Sequence, residues 1–121
     1  MTSTAPQLLL ICRHGGWTAR AAACFETLLT AGVYEQDAAL VLLQDAVTVL
    51  LPDQQAEPER PKTLAQQLPA LELYGIKQVF AEASALASCC VDTDALPIPV
   101  TVLAKDQFAA LVQSARSTLV F

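Results

Sequence analysis

Residues Ala38–Pro52, AALVLLQDAVTVLLP, decide the fold of this chain. A fully apolar run ends at Gln44-Asp45, and a second run, Ala46–Leu51, stops at Pro52. The pattern predicts a buried strand over Ala38–Leu43 that empties into a turn, then a short apolar helix or turn over Ala46–Leu51. In α/β folds the ends of such strands are where ligands and partners are met. Asp45 is expected to cap the second run. No second carboxylate lies at a spacing that compels an acid–base pair with it.

Outward from this stretch, strands alternate with helices. Leu8–Cys12, LLLIC, reads as a first buried strand, Gln78–Glu82 as a third, Val100–Leu103 as a fourth and Thr118–Phe121 as a fifth. A helix fits Ala19–Ala31, with Ala22, Phe25 and Leu29 on one face and Gly32 placed to stop it. Thr63–Tyr74 is expected to be helical, capped by Thr63, disturbed by Pro69 and ended by Gly75. Ala83–Val91 reads as a short helix or turn, and Asp92–Pro99 as an extended connection. Lys105–Ala115 reads as a helix with Phe108, Leu111, Val112 and Ala115 inward. Between the second strand and the Thr63 helix, Pro52–Lys62 carries three prolines and five charges and reads as an exposed loop. The expectation is one α/β domain over residues 1–121, three-layered around a mainly parallel five-stranded sheet.

Composition narrows the function. Of 121 residues, 54% are hydrophobic and only 16% charged, which implies a sheet buried on both faces together with surface covered by partner chains. A formal charge of −5, with the Lys and Arg residues scattered, argues against direct binding to a nucleic-acid backbone. Gln44 and Asp45 break the longest apolar stretch well short of the ~20 residues a membrane span needs. Gln7–Cys12 is too short for a secretory apolar region, so a cytoplasmic location is the expectation. In that setting the four cysteines are expected to be free thiols.

Few residues carry chemistry. His14-Gly15-Gly16, between a strand and a helix, would suit a phosphate-binding turn, but the spacing matches no phosphate-loop pattern, and a tight turn that lets the helix pack back on the sheet is the favoured reading. A small-molecule site over His14–Thr18 is therefore the weakest functional expectation. Cys12 lies two residues from His14, the only histidine, which would allow a thiolate–imidazole pair if the strand continued past Cys12. No paired CxxC or HExxH is present, and no metal or other cofactor is expected. Cys89-Cys90 is the most chemical-looking pair: either exposed thiols able to accept sulfur, or one small buried hydrophobe beside an incidental neighbour. Cys24 is expected in the core, and Trp17 at an interface.

The order of these motifs resembles the DsrE/DsrF-like sulfur-relay family. The resemblance rests on a helix ending LLTAG, then ALVLLQDAVTVLLP and a polar loop, then LYGI at Leu73–Ile76, a strand reading QVF, and a final STLVF. It is closest to the TusC-like (DsrF) subunit. The resemblance implies a Rossmann-like parallel sheet and a heterohexamer with TusB-like and TusD-like homologous subunits. Such a complex passes persulfide sulfur to a downstream carrier, towards 2-thiouridine at tRNA wobble positions or, in sulfur oxidisers, into the dissimilatory pathway. Each transfer is a thiolate attacking the outer sulfur of a persulfide. In the TusD-like subunit the working cysteine lies at the end of the strand matching Gln78–Glu82, where this chain has Phe80, Ala81 and Glu82. A non-catalytic TusC-like subunit is therefore the leading expectation, with no catalytic residue of its own. The alternatives are an active persulfide carrier using Cys89, Cys90 or Cys12, and a DsrF-like subunit of dissimilatory sulfur oxidation.

Overall fold

A computed structural model of the chain describes residues 6–15, 18–51 and 68–121. Five strands form one parallel sheet in the order β4-β3-β2-β1-β5. They are β1 (Leu8–Cys12), β2 (Ala38–Leu42), β3 (Gln78–Glu82), β4 (Thr101–Leu103) and β5 (Ser117–Val120). The helices are α1 (Ala19–Val33), α2 (Ala70–Leu73), α3 (Ala83–Ser88) and α4 (Lys105–Ser114), with a 3₁₀ segment over Gln44–Leu50. The expected Pro52–Lys62 loop, Thr63 cap and Trp17 contact lie outside the described residues.

The layering follows from handedness. From β1 to β4 the chain steps across the sheet in one direction, and then returns across its full width to place β5 beside β1. Crossovers between parallel strands are right-handed, so the returning helix must lie on the opposite face. Phe25 and Leu28 of α1 accordingly share a core cluster with Leu10, Leu40 and Leu42 on one face. Phe108, Leu111 and Val112 of α4 pack over Leu9, Ile11 and Val41 on the other. All five residues of β2 are buried, the pattern of a strand covered on both sides.

Two expectations are corrected. Gly32 does not stop α1; the helix runs through it to Val33 and is capped by Tyr34. Glycine is required at 32 because a Cβ there would lie 2.3 Å from the Tyr74 carbonyl oxygen. Asp45 is not a cap: Leu43 holds the N-cap position of the 3₁₀ segment, with no side-chain bond, and the Asp45 carbonyl instead accepts from the Thr48 hydroxyl at 2.7 Å. Pro69 stands at the N-cap of α2, where its missing N–H costs nothing, while residues 63–67 of the expected Thr63–Tyr74 helix lie outside the described residues. In the expected extended connection, the Asp92 carboxylate accepts from the Asp94 N–H at 2.9 Å and makes a local turn.

Gly75 does end α2, at φ 85°. Two other helices end in the same way on non-glycine residues. Glu35 (φ 57°) follows α1, where Glu35 N bonds Gly32 O and Gln36 N bonds Ala31 O. Cys90 (φ 56°) follows α3, where Cys90 N bonds Ala87 O and Val91 N bonds Leu86 O. Both are Schellman endings, in which the left-handed residue is most comfortable as glycine.

Candidate functional site

Parallel strands deliver their chain ends to one edge, and here the C-terminal ends of β2 and β3 lie side by side. Beyond β2 the chain turns through Gln44 in a left-handed conformation (φ 51°) into the 3₁₀ segment. That segment buries Ala46, Val47, Val49 and Leu50, so it packs into the core and leaves only Gln44 and Asp45 exposed at the edge. Beyond β3, α3 begins at once with Ala83, and Ser84 donates a hydrogen bond to the Glu82 carboxylate. The two strand ends and α3 border an open cavity of about 220 Å³ lined by Gln44, Asp45, Glu82, Ser84, Ser88 and Cys89.

The strand end itself bears no thiol. Phe80 is half-buried under α4, Ala81 is in the core, and Glu82 caps α3 with its backbone. The only thiol at the cavity is Cys89, the C-cap of α3, which is half-buried and packs against the main core. Cys90 is exposed but is not among the residues lining the cavity. The two cysteines singled out as a pair thus occupy different environments.

Cys12 lies elsewhere. It ends β1 with its side chain in the core, 1% exposed, and its Sγ reaches the His14 carbonyl at 3.5 Å rather than an imidazole. A hydrogen bond from Cys24 lowers the Cys12 thiol to about 7; burial opposes this, and a backbone contact at His14 assists it. Cys24 is raised by the same partnership and by burial. A thiol so enclosed is poorly placed to meet another protein. The contact between Cys12 and Cys24 was not visible in the sequence, because the two approach only when α1 folds onto β1.

Of the His14–Thr18 connection, Gly16 and Trp17 lie outside the described residues, and the described Thr18 side chain is engaged with its neighbours. The Thr18 side chain caps α1 by accepting from Ala21 N at 3.2 Å, and its hydroxyl donates to the Gly15 carbonyl at 2.9 Å. A second cavity, about 370 Å³, lies at the opposite end of β3 among Leu68, Leu71, Ile76, Val79, Pro97 and Ile98, and holds no thiol. Among the described residues no group of three or more His, Cys, Asp or Glu side chains is placed to hold a metal. No described helix is long and apolar enough to cross a membrane.

These features define a class: a small parallel α/β domain whose strand-end edge combines an acidic, hydroxyl-lined cavity with one half-buried thiol. Residues 7–121 match the DsrE/DsrF-like family, and the chain belongs to it. Among solved structures, the YchN protein from E. coli has the same fold, with a TM-score of 0.78, 21% identity, and coverage of 95% of this chain and 99% of that one. No curated protein matches the sequence. Membership in the family supports a role in sulfur relay.

Proposed function

We propose that this chain is a TusC-like subunit of a heterohexameric sulfur-relay complex, serving tRNA wobble thiolation and contributing architecture rather than a sulfur-carrying thiol. The observation that carries this is the β3 end, where Phe80, Ala81 and Glu82 stand and no cysteine is found. None of these side chains is able to attack the outer sulfur of a persulfide. The apolar surface supports a life among partners. Leu73 is 87% exposed and Tyr34 73%, on either side of the contact between Gly32 and Tyr74, and Val120 on the edge strand β5 is 53% exposed. Apolar groups of this size on adjoining elements fit covered interfaces better than open solvent.

The partners are TusB-like and TusD-like homologous chains, and the complex hands sulfur to a downstream carrier without itself binding RNA. Co-expression of an affinity-tagged copy with such chains tests this. All three should elute together from size exclusion as one complex with two copies of each; a chain that elutes alone in their presence overturns the proposal.

One observation favours a second reading. Cys89 lies in the cavity at the β2 and β3 ends, one short helix away from the strand end itself. As a carrier, the Cys89 thiolate would take the outer sulfur of a donor persulfide, and the donor would leave as a thiolate. Intact mass after incubation with a cysteine desulfurase and cysteine separates the two readings. Gain of one sulfur atom, lost in Cys89→Ser, supports the carrier; an unchanged mass supports the architectural subunit.

A further inference from the structure

The sheet ends on one side at β5, and among the described residues no strand lies beyond it. Its pairing with β1 fixes which backbone groups look outward. Ser117 N bonds Gln7 O and Phe121 N bonds Ile11 O, while the Phe121 carbonyl accepts from Arg13 N. Backbone groups alternate in direction along a strand, so Ser117, Leu119 and Phe121 turn theirs to β1. Thr118 and Val120 turn their N–H and C=O groups to the open edge. Unmade strand bonds of this kind are a template for another strand, and the common safeguards are missing from β5. Its sequence, STLV, has no charge and no proline, and its register runs from Leu8↔Ser117 to Ile11↔Val120 without a bulge. The opposite edge strand, β4, has only three residues and is shielded by its shortness. Side chains add apolar surface at β5. Leu119 stands beside Leu10 on the α1 face and is 43% exposed; Val120 stands beside Ile11 on the α4 face and is 53% exposed.

We propose that β5 is a self-association edge, taken by β5 of a second copy of this chain running antiparallel about a two-fold axis at Leu119. The choice of occupant follows from the partial charges along the edge. Turned end for end about Leu119, the strand sets Thr118 opposite the second copy's Val120, and Val120 opposite its Thr118. Each such pair places N–H against C=O in both directions, so both outward residues have their backbone bonds made. The edge is thus complementary to itself. Sliding the second strand by one residue sets outward groups against residues turned inward. Sliding it by two leaves an outward residue of β5 with no partner in the strand. Between the bonded pairs, Leu119 meets the second copy's Leu119 on the α1 face, and Val120 lies beside the second copy's Thr118 on the α4 face. Exposed apolar surface on both faces thereby leaves water. The product is one continuous sheet through two copies, parallel within each and antiparallel at the seam. The pairing does not depend on a role in sulfur relay, and it is compatible with two copies of this chain in one complex.

The test uses the full chain alone. Sedimentation equilibrium should show a species of twice the chain's mass. Leu119→Cys should then cross-link, because the Cα atoms of a non-hydrogen-bonded antiparallel pair lie about 4.5 Å apart, within disulfide range. After mild oxidation a non-reducing gel should show a covalent dimer, and a digest should show the introduced thiols joined to each other rather than to Cys89 or Cys90. Thr118→Pro should abolish the dimer yet keep the parent's circular dichroism, because a proline on an edge strand gives up only an outward N–H. A monomeric parent overturns the proposal, whether the edge is then open or taken by a homologous partner chain. A dimer whose introduced thiols stay apart overturns it as well. Should Thr118→Pro not fold, the cross-link decides alone.

Discussion

Gly32 and Tyr74 meet so closely that a Cβ on residue 32 would lie 2.3 Å from the Tyr74 carbonyl oxygen. The contact joins the last turn of α1 to the end of α2, and it is made by backbone on both sides. It also explains the LYGI stretch: Tyr74 caps α2, Gly75 supplies the left-handed residue, and Ile76 N returns to Leu71 O at 2.9 Å to close the turn.

Gly32→Ala should therefore destabilise the fold by about 1–3 kcal/mol, the usual cost of forcing extra volume into a packed contact. Gly75→Ala acts differently. It meets no neighbour within 4 Å but must hold a positive φ, and should cost about 1 kcal/mol. Urea unfolding midpoints decide between these. A Gly32→Ala protein as stable as the parent would mean that the two elements are not in contact.

Cys90 and Glu35 carry side chains at left-handed helix ends. Replacing Cys90 by glycine should raise stability by about 0.5–1 kcal/mol, and Glu35→Gly should do the same, since glycine adopts that conformation without the Cβ penalty. Thermal melts of the two single variants test this. A lower Tm for Cys90→Gly would show that its thiol contributes packing that the exposed position does not suggest.

The Cys12 thiol, lowered from 9.0 to about 7 in the fold, gives stability a defined pH dependence. Between these values the unfolded chain binds more protons at Cys12, so its contribution grows as pH rises from about 7 towards 9 and is absent below that window. Cys24, raised in the fold, works the other way, with a contribution present below 9.0 and lost at higher pH. Cys24→Ala removes the donor and leaves burial to dominate, so the thiolate absorbance that appears near neutral pH should move upward. An unshifted ultraviolet titration in that variant would rule out Cys24 as the cause.

If partner chains cover the exposed apolar residues at the α1 and α2 ends, Tyr34→Glu and Leu73→Glu should abolish co-purification with TusB-like and TusD-like chains. Their unfolding midpoints should change little, because surface substitutions away from packing usually stay within about 0.5 kcal/mol. Normal complex formation by both variants would place the interface elsewhere.

Much of the fold was legible because it rests on local runs. LLLIC, AALVL and QVFAE announce buried strands directly, and the strand bounds at Leu8–Cys12 and Gln78–Glu82 agree with the structure. Phe108, Leu111 and Val112 were legible as one inward helix face because helical spacing is also local. Gly32 was not, since a glycine that permits close approach looks in sequence the same as one that ends a helix. Asp45 misled for a related reason: a carboxylate before an apolar run suggests a cap, but the 3₁₀ turn starts one residue earlier and the side chain is left exposed. At the candidate site, Cys89 was singled out as a thiol, but its place in the cavity with Gln44 and Glu82 depends on β2 lying beside β3. That pairing joins residues far apart in the chain, as does the meeting of Cys12 with Cys24.

The central claim, a sulfur-relay subunit that carries no sulfur itself, is tested most directly by reconstitution. This chain, TusB-like and TusD-like partners, a cysteine desulfurase and cysteine are combined, and each chain is weighed intact. The account predicts sulfur on the TusD-like chain, reduced when this chain is omitted, and no mass gain on this chain. A gain of one sulfur atom on this chain that disappears in Cys89→Ser would contradict it.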